Sequence, residues 1–484
     1  MAILTINGER AETRDGATLL EAARAAGFDV PTLCFLEETG ALTSCMLCVV
    51  KDLATGRLVP ACATQAVDGM DIVTEDAEIA AARKEVLYLL LNEHVGDCEA
   101  PCSRLCPAGL NVPRMLRYID AGDLDAAAAL AWRDLVFPGT LGRVCTAPCE
   151  RVCRRSQYDG PIAIRDTHRA LSERPVPAEA PRAPSGKSVG IVGGGLAGLS
   201  AAALCARNGH ACCVYERGPR MCARLYGLDE SALPAAVLDR EMDALRGAGV
   251  TFALGREIAA DTAMESLLAQ HDAVIVACAL PVQRDARIFT AVEEPLHVRA
   301  VGSGKRAAMA VERWFLGLPE GGHKPFNSTL GNRLHAEDLE PFAVERLRKP
   351  ERQSAAEPLA AEAARCLHCD CHKIHSCKLR QYAEAYGLGP QIHRTMMRGP
   401  IAPIMRHATV QFEPGKCVKC GICVAMTQAA GLEFGMTFTG RGLESRVCAA
   451  MRETLDAGLG PVAEACARAC PTAALALRGM EETS

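Results

Sequence analysis

Apolar and polar residues alternate in Met1-Ala-Ile-Leu-Thr at the start of the chain, which is the period of a half-buried β-strand. The chain continues to about residue 75 as short strands with one helix, predicted over Ala17 to Ala25. Further on, the pattern becomes that of a helical hairpin. Asn111 can cap a first helix, Gly122 breaks it, and an alanine-rich second helix runs from Asp123 to about Leu135.

The most apolar window, Val189 to Cys205, contains five glycines and therefore favours a strand, a turn and a helix over a membrane span. A second predicted strand, Ala211 to Tyr215, ends in Glu216, at the spacing where an acidic residue accepts ribose hydroxyls. A dinucleotide diphosphate would lie on the helix N-terminus, where free N–H groups and the helix dipole favour anions. The glycines of this motif are Gly193, Gly195 and Gly198.

Composition narrows the class of protein. A length of 484 residues predicts three or more domains, and a net charge of −5 indicates no nucleic-acid or anionic-membrane partner. The first residues lack the basic and apolar regions of a signal peptide, which predicts a cytoplasmic location. The 25 cysteines then favour metal binding over disulfides, because cytosolic thiols stay reduced.

The first cysteine set has one close pair on a loop and two distant members, which suits a [2Fe-2S] cluster better than a zinc ribbon with its two close pairs. Its members are Cys34, Cys45, Cys48 and Cys62. The segments Ser44-Cys-Met-Leu-Cys-Val-Val and Arg57-Leu-Val-Pro-Ala-Cys62 resemble the N-terminal ferredoxin domain of the large iron-sulfur subunit of complex I and of its relatives in hydrogenases and formate dehydrogenases. That resemblance implies a β-grasp fold with these four cysteines as ligands.

The next set supplies six cysteines and two histidines, enough for two [4Fe-4S] clusters, with a disulfide framework or a pair of zinc sites as alternatives. These residues are His94, Cys98, Cys102, Cys106, Cys145, Cys149, Cys153 and His168.

Two segments in this region, Cys106-Pro107-Ala-Gly-Leu-Asn-Val-Pro113 and Gly142-Arg-Val-Cys-Thr-Ala-Pro-Cys149, resemble the N-terminal domain of the glutamate synthase small subunit, which dihydropyrimidine dehydrogenase shares. The resemblance implies two interleaved clusters. The first would use His94, Cys98, Cys102 and Cys153, and the second Cys106, Cys145, Cys149 and His168. A grouping of His94 with Cys98, Cys102 and Cys106 stays open.

The segments Leu225-Tyr-Gly-Leu and Asp272-Ala-Val-Ile-Val-Ala resemble the FAD domain of the same small subunit, which implies FAD on the glycine loop. Met221-Cys222-Ala223 replaces a glycine pair of the family, and Val292-Glu293 replaces its Gly-Asp, so the occupancy by FAD stays open. The family's inserted NADPH domain is missing. Gly302-x-Gly304 belongs either to the closing helix of the FAD domain or to a second nucleotide motif.

Two further cysteine sets lie toward the end of the chain. The first, for which a [4Fe-4S] cluster is favoured over zinc, comprises Cys366, Cys369, Cys371 and Cys377. The second has three cysteines on a tight loop and a distant cysteine before proline, which is the ferredoxin arrangement for one [4Fe-4S] cluster. It comprises Cys417, Cys420, Cys423 and Cys470, with Cys448 and Cys466 as spares.

The sequence therefore predicts a multidomain α/β chain. Its domains are a β-grasp [2Fe-2S] domain (1–78), a helical two-cluster domain (79–171), a linker (172–187), a Rossmann-like FAD domain (188–320), a linker region with a cysteine-rich motif (321–408) and a C-terminal ferredoxin-like domain (409–484).

The predicted function is electron transfer in a subunit of an NAD(P)H- or ferredoxin-linked oxidoreductase, through one [2Fe-2S] and about four [4Fe-4S] clusters and FAD. No catalytic residues are predicted. Expected partners are NADH-oxidising FMN/iron-sulfur subunits, a hydrogenase- or formate dehydrogenase-like catalytic subunit, and soluble ferredoxin. The alternatives are a self-contained NAD(P)H-dependent flavoenzyme and a scaffold with vestigial sites.

Overall fold

The computed structural model describes residues 1–176, 182–259, 262–281, 285–319, 325–330, 334–343, 346, 358–389 and 404–478, so part of the predicted linker 172–187 lies outside the described residues. The chain forms two compact units. The first comprises Met1–Glu99, Lys324–Val344 and Cys369–Ser484, and the second comprises Ala100–His323 and Glu345–His368.

The first unit opens with a five-stranded mixed sheet, in the order Glu9–Thr13, Ala2–Ile6, Asp71–Val73, Val49–Asp52 and Arg57–Pro60. The helix Leu19–Ala25 buries its leucines and alanines. It begins at a capping box, in which Thr18 accepts from the Glu21 N–H and the Glu21 side chain accepts from the Thr18 N–H. A hairpin of Phe35–Leu36 and Gly40–Ala41 follows the helix.

The rest of the first unit carries a three-stranded antiparallel sheet, formed by Met405–Arg406, Val410–Phe412 and Leu475–Leu477, and the strand pair Met436–Thr439 and Arg446–Ala449. Its other helices are Ala77–Glu93, Ala336–Ala343, Lys378–Ala385, Ile422–Ala429, Leu455–Leu459 and Ala463–Ala469. Short 3-10 helices span Pro414–Lys416, Gly442–Glu444, Ala450–Arg452 and Gly460–Val462.

The second unit begins with helices and contains the predicted hairpin. Asn111 caps the helix Val112–Asp120 and Asp123 caps Leu124–Leu135, each through its side-chain oxygen. The prediction of both helices and of the Asn111 cap is confirmed. The other helices of this part are Pro101–Arg104, Pro138–Val144, Pro148–Arg151, Ile164–Ser172 and Pro358–Arg365, with a 3-10 helix at Arg154–Gln157.

A five-stranded parallel sheet forms the remainder of the second unit, in the order Val250–Leu254, Ala211–Glu216, Ser188–Val192, Ala273–Val276 and Ile288–Thr290. Its helices are Leu196–Arg207, Ala223–Tyr226, Ala235–Gly247, Thr262–Gln270 and His297–Phe315. The central strand Ser188–Val192 is buried along most of its length, as expected for a parallel sheet covered on both faces.

Gly302 and Gly304 lie within the helix His297–Phe315, which packs against Leu196–Arg207. A Cβ atom on Gly304 would overlap the backbone carbonyl of Ala197. The two glycines therefore permit a close helix-helix contact, and the alternative that they form a second nucleotide motif is wrong.

The multidomain α/β organisation is confirmed. Within the described part of the chain, we find no helix that combines the length and the apolar character needed to cross a membrane.

Candidate iron-sulfur sites

The four N-terminal cysteines come together in the first unit as two adjacent pairs, and all four are buried. A hydrogen bond with Cys45 lowers the pKa of Cys34, and one with Cys62 lowers the pKa of Cys48. The backbone N–H of Cys45 also donates to the Cys34 Sγ at 3.4 Å. Two thiolates for each iron is the ligation of a two-iron cluster, so the paired arrangement fits [2Fe-2S].

The C-terminal cysteines line a cavity in the first unit whose other walls include Phe412, Ile422, Val447 and Leu475. The cysteines on this cavity are Cys417, Cys420, Cys423, Cys466 and Cys470. Burial, and after it the charge of Cys470, raises the pKa of Cys420. The Leu475 N–H donates to the Cys470 Sγ at 3.5 Å, as a backbone group does toward a metal-bound thiolate.

A third set joins residues far apart in sequence. The backbone N–H of Cys371 donates to the carbonyl oxygen of Cys98 at 3.0 Å. The Ser328 N–H donates to the Cys98 Sγ at 3.3 Å. Burial and then the charge of Cys371 raise the pKa of Cys98 to about 11 and the pKa of Cys377 to about 12. Cys98, Cys371 and Cys377 therefore surround one location in the first unit.

His94 and Lys416 border this third set. His94 follows the helix Ala77–Glu93 and is buried. A Cβ atom built on Gly96 would lie 2.8 Å from Lys416 Cε and 3.2 Å from His94 Nε2, so both side chains pack on the same loop. Lys416 is buried and forms an ion pair with Glu413 at 2.8 Å. Its charge lowers the pKa of both Cys98 and Cys371, in each case against the larger effect of burial.

The three sets of the first unit adjoin one another. The Ser44 hydroxyl donates to the Cys420 carbonyl oxygen at 3.2 Å, and the charge of Cys34 contributes to the raised pKa of Cys420, after burial and Cys470. At the other end, the Lys378 N–H donates to the Pro471 carbonyl at 2.9 Å, directly beside Cys377 and Cys470. The C-terminal set thus lies between the N-terminal set and the third set.

The second unit brings Cys106, Cys145 and Cys149 together. Burial and then the charge of Cys106 raise the pKa of Cys149. The charge of Cys106 also raises the pKa of Cys145, after burial and against the N–H of Ala147, which donates to the Cys145 Sγ at 3.4 Å. These three cysteines are the predicted members of the second interleaved cluster.

Cys102, Cys153 and Cys366 also pack against the core of the second unit. The helix Pro101–Arg104, which carries Cys102, contacts the helix Pro148–Arg151. The segments that carry Cys153 and Cys366 are joined by a hydrogen bond from the Arg155 guanidinium to the Arg365 carbonyl. Burial raises the pKa of Cys153, and the charge of Arg365 is among the weaker effects that lower it.

The structure assigns the members of the predicted sets to the two units as follows. Cys98 lies with Cys371 and Cys377, whereas Cys102 and Cys366 belong to the core of the second unit and Cys369 to the first unit. The grouping of His94, Cys98 and Cys102, and the grouping of Cys366 with Cys369, Cys371 and Cys377, stay predictions.

His168 lies on the helix Ile164–Ser172 and is buried, with its Nδ1 3.1 Å from the Pro138 carbonyl oxygen. Burial lowers the pKa of His168 to about 4, so the ring is neutral at physiological pH. A neutral ring that donates from Nδ1 to a carbonyl presents the Nε2 lone pair to a metal. Its role as a ligand stays a prediction.

A backbone turn recurs at three cysteines. The residue two positions after Cys145, Cys366 and Cys417 has a positive φ and donates its N–H to the cysteine sulfur at 3.4 Å. These residues are Ala147, His368 and Lys419, with φ of 48°, 46° and 54°. Positive φ is uncommon outside glycine and clusters at functional sites. The repeated turn therefore supports Cys145, Cys366 and Cys417 as ligands.

Among the described residues, no three His, Cys, Asp or Glu side chains converge closely enough to hold a single metal ion. The ligands of a [4Fe-4S] cluster bind separate irons and surround a larger body. The buried thiols and the N–H groups aimed at their sulfurs fit such clusters.

The glycine loop of the parallel sheet has the geometry of a dinucleotide fold. Gly193 has a φ of 113°, and a Cβ atom on Gly198 would overlap the Gly193 carbonyl, so both positions require glycine. Glu216 ends the second strand and accepts from the backbone N–H groups of Gly194 and Gly218 at 2.8 Å each.

Three segments of the chain match known domain families. Residues 1–77 match a 2Fe-2S iron-sulfur cluster binding domain, and residues 93–177 match dihydropyrimidine dehydrogenase domain II, which holds a 4Fe-4S cluster. Residues 191–254 match an NAD(P)-binding Rossmann-like domain. The chain is thus a multidomain iron-sulfur protein with a [2Fe-2S] domain and a [4Fe-4S] domain, and the predicted C-terminal cluster domain stays a prediction.

Three characterised proteins are similar to parts of the chain. The NADP(+)-dependent formate dehydrogenase subunit beta of Moorella thermoacetica is 34% identical over 37% of this chain and 29% of its own length. A glutamate synthase [NADPH] small chain of Mycobacterium tuberculosis is 34% identical over 37% of this chain and 38% of its own length. The NADPH-Fe(3+) oxidoreductase subunit beta of Geobacter sulfurreducens is 29% identical over 47% of this chain and 35% of its own length.

The alignments cover only about a third of each relative. They confirm the resemblance to the glutamate synthase small subunit and to formate dehydrogenase subunits. A crystal structure of an NAD+-reducing [NiFe]-hydrogenase aligns with 100% of this chain and 90% of that chain at 14% identity and a TM-score of 0.39, a similarity that does not establish a shared fold.

The positions of two side chains at the sites could not be predicted from the sequence. Lys416 directly precedes Cys417, which was the only signal of its place beside a cluster. Glu293 was visible as a departure from the family, but the sequence gave no sign of where its carboxylate lies.

Proposed function

We propose that this chain is an electron-relay subunit of a multi-subunit oxidoreductase. The observation that carries the proposal is the series of three cysteine sets in the first unit, with the C-terminal set between the other two. Because electrons tunnel between neighbouring centres, adjoining sets of ligands make a continuous path, whereas storage or regulation needs no such series. The relatives named as beta subunits of a formate dehydrogenase and of an NADPH-Fe(3+) oxidoreductase support this role.

We assign the proposed iron-sulfur clusters to cysteines and histidines that lie close together in each unit. Cys34, Cys45, Cys48 and Cys62 hold the [2Fe-2S] cluster, and Cys417, Cys420, Cys423 and Cys470 hold a [4Fe-4S] cluster. A further [4Fe-4S] cluster in the first unit takes Cys98, Cys371, Cys377 and, as fourth ligand, His94. In the second unit, one cluster takes Cys106, Cys145 and Cys149 with His168, and another takes Cys102, Cys153 and Cys366.

Iron-sulfur clusters supply one-electron transfer at potentials that the surrounding protein sets. The chain contributes burial, which excludes water from the thiolates, and backbone N–H groups directed at the sulfurs. At the third set it adds an imidazole in place of a thiolate and the charge of Lys416. Both additions reduce the negative charge around that location and favour the reduced state.

The proposed partners are an NADH-oxidising FMN/iron-sulfur subunit and a hydrogenase- or formate dehydrogenase-like catalytic subunit, with soluble ferredoxin as a further exchange partner. The N-terminal domain, with Cys45 and Cys48, is the proposed contact for the subunit that delivers electrons. A cytoplasmic location suits this chain, because reduced thiols are needed to assemble the clusters.

The test is iron analysis and dye reduction with anaerobically purified chain. We expect about eighteen irons for each chain, two from the [2Fe-2S] cluster and four from each of four cubanes. The chain alone should not reduce dyes from NADH or NADPH, and should do so when an NADH-oxidising partner is added. Robust turnover by the chain alone would favour a self-contained flavoenzyme, and fewer than about ten irons in fully loaded protein would refute the five-cluster relay.

A further inference from the structure

The first turn of the helix Leu196–Arg207 is occupied by a side chain of the same chain. The Ala197 N–H donates to Glu293 Oε2 at 2.8 Å, and the Leu196 N–H lies 3.3 Å from Glu293 Oε1. In a dinucleotide fold these N–H groups and the positive end of the helix bind the diphosphate. A carboxylate is itself an anion with oxygen acceptors, so Glu293 satisfies the same donors.

The carboxylate also takes the space of a phosphate. A Cβ atom built on Gly195 would lie 2.5 Å from Glu293 Oε2 and 2.7 Å from Glu293 Cδ. The second glycine of the motif is needed so that the diphosphate can approach the backbone closely. Here the atoms over that glycine belong to Glu293, and a phosphate could not enter without displacing them.

The neighbouring glycine is covered as well. The atom nearest to a Cβ built on Gly194 is the Sδ of Met221, and Glu216 Oε2 follows at 3.0 Å. The Cys222 N–H donates to the Gly194 carbonyl at 2.8 Å, and both Met221 and Cys222 are buried. The segment that replaces the family's glycine pair therefore packs against the glycine loop, where a dinucleotide would bind.

Glu216, at the end of the second strand, also forms hydrogen bonds within the protein. Both carboxylate oxygens of Glu216 accept backbone N–H groups, from Gly194 and from Gly218. A diphosphate at the helix N-terminus would add negative charge directly beside the Glu293 carboxylate, and like charges at such short range are unfavourable. The hydrogen bonds, the occupied space and the charge therefore all oppose binding of a diphosphate at this loop.

We propose that Glu293 replaces the diphosphate of a dinucleotide, and that this Rossmann-like domain holds neither FAD nor NAD(P). The residues present do not fit the cofactor that the resemblance implied. The domain then serves as a structural support for the cluster-bearing helices of the second unit, and electrons enter and leave the chain through clusters alone.

The test uses the iron-loaded full chain with FAD and ADP as probes. Wild-type protein should release less than about 0.1 flavin per chain on acid denaturation, and should show no ADP binding at 1 mM by calorimetry. Glu293→Gly removes the internal carboxylate and should bind ADP at least tenfold more tightly. Glu293→Gln keeps an oxygen acceptor on a side chain of the same length, so this variant should bind ADP no better than the wild-type protein.

Flavin in wild-type protein at near one per chain would overturn the proposal. Equal behaviour of wild-type and Glu293→Gly, whether both bind ADP or both fail, would overturn the role of Glu293. Iron content and melting temperature show that each variant is folded, and an increase in the melting temperature of Glu293→Gly with ADP is a second readout. The relay is tested separately by iron content and partner-dependent dye reduction, so either proposal can fail alone.

Discussion

The backbone N–H of Cys371 donates to the carbonyl oxygen of Cys98 across 3.0 Å and joins two cysteine-bearing segments that lie far apart in the sequence. If both thiolates bind the same cluster, Cys371→Ser should lower the iron content by about four per chain. The two neighbouring centres should keep their electron paramagnetic resonance signals.

Cys448→Ser is the matched control, because Cys448 lies on the strand Arg446–Ala449 and outside the proposed sets. It should leave the iron content unchanged. Loss of the same signal from Cys366→Ser and Cys371→Ser would contradict the grouping by contacts and restore the one suggested by sequence.

Lys416 should raise the reduction potential of the third cluster, because a buried cation stabilises the added electron. Lys416→Gln is expected to lower that potential by on the order of 100 mV, from Coulomb's law at a short distance in a protein environment. The measurement is a redox titration followed by electron paramagnetic resonance. Lys419→Gln is the control, because Lys419 is in the same loop but pairs with Glu93 at the surface. Equal shifts in the two variants would rule out a specific effect.

Glu241 should make the stability of the second unit depend on pH. It is fully buried, and burial raises the pKa of Glu241 to about 7 against hydrogen bonds from Thr140 and Gly139. A carboxyl whose pKa is raised by folding stabilises the fold while protonated, so stability should fall as pH rises from about 4.5 to about 7. The loss is on the order of 3 kcal/mol.

Chemical denaturation across this pH range measures the effect. Glu241→Gln should remove the slope, because an amide does not titrate. A slope that persists in the variant would assign it to other groups.

Gly304→Ala should destabilise the second unit by several kcal/mol, because the added methyl group overlaps the Ala197 carbonyl and forces two packed helices apart. Gly247→Ala is the control. A Cβ atom there meets nothing within 4 Å, so the change should stabilise the helix by up to about 1 kcal/mol. Thermal unfolding monitored by circular dichroism compares the two, and similar melting temperatures would contradict the packing role of Gly304.

The sequence predicted those parts of the sites whose residues lie close together along the chain. The close pair of Cys45 and Cys48 and the tight loop of Cys417 to Cys423 each form within one turn of chain, so their spacing carries the information. The helical hairpin followed from Asn111 and Asp123, whose capping is equally local.

The remainder depends on tertiary contacts. Cys98 and Cys371 meet only because the intervening segments fold separately, and no spacing rule links them. For Glu293, the sequence revealed an unusual residue, but only the fold of the glycine loop shows that its carboxylate reaches the helix N-terminus. Likewise, the helical pattern around Gly304 was ambiguous until its neighbour, Ala197, was known.

The contact between Cys98 and Cys371 also constrains the order in which the protein matures on the ribosome. The four N-terminal cysteines lie within residues 1–77, so all of them have been synthesised early in translation. The proposed third cluster includes Cys377, so its iron can be inserted only after most of the polypeptide has been made. Interrupted synthesis would leave a chain that holds Cys98 without the two cysteines that lie beside it in the fold.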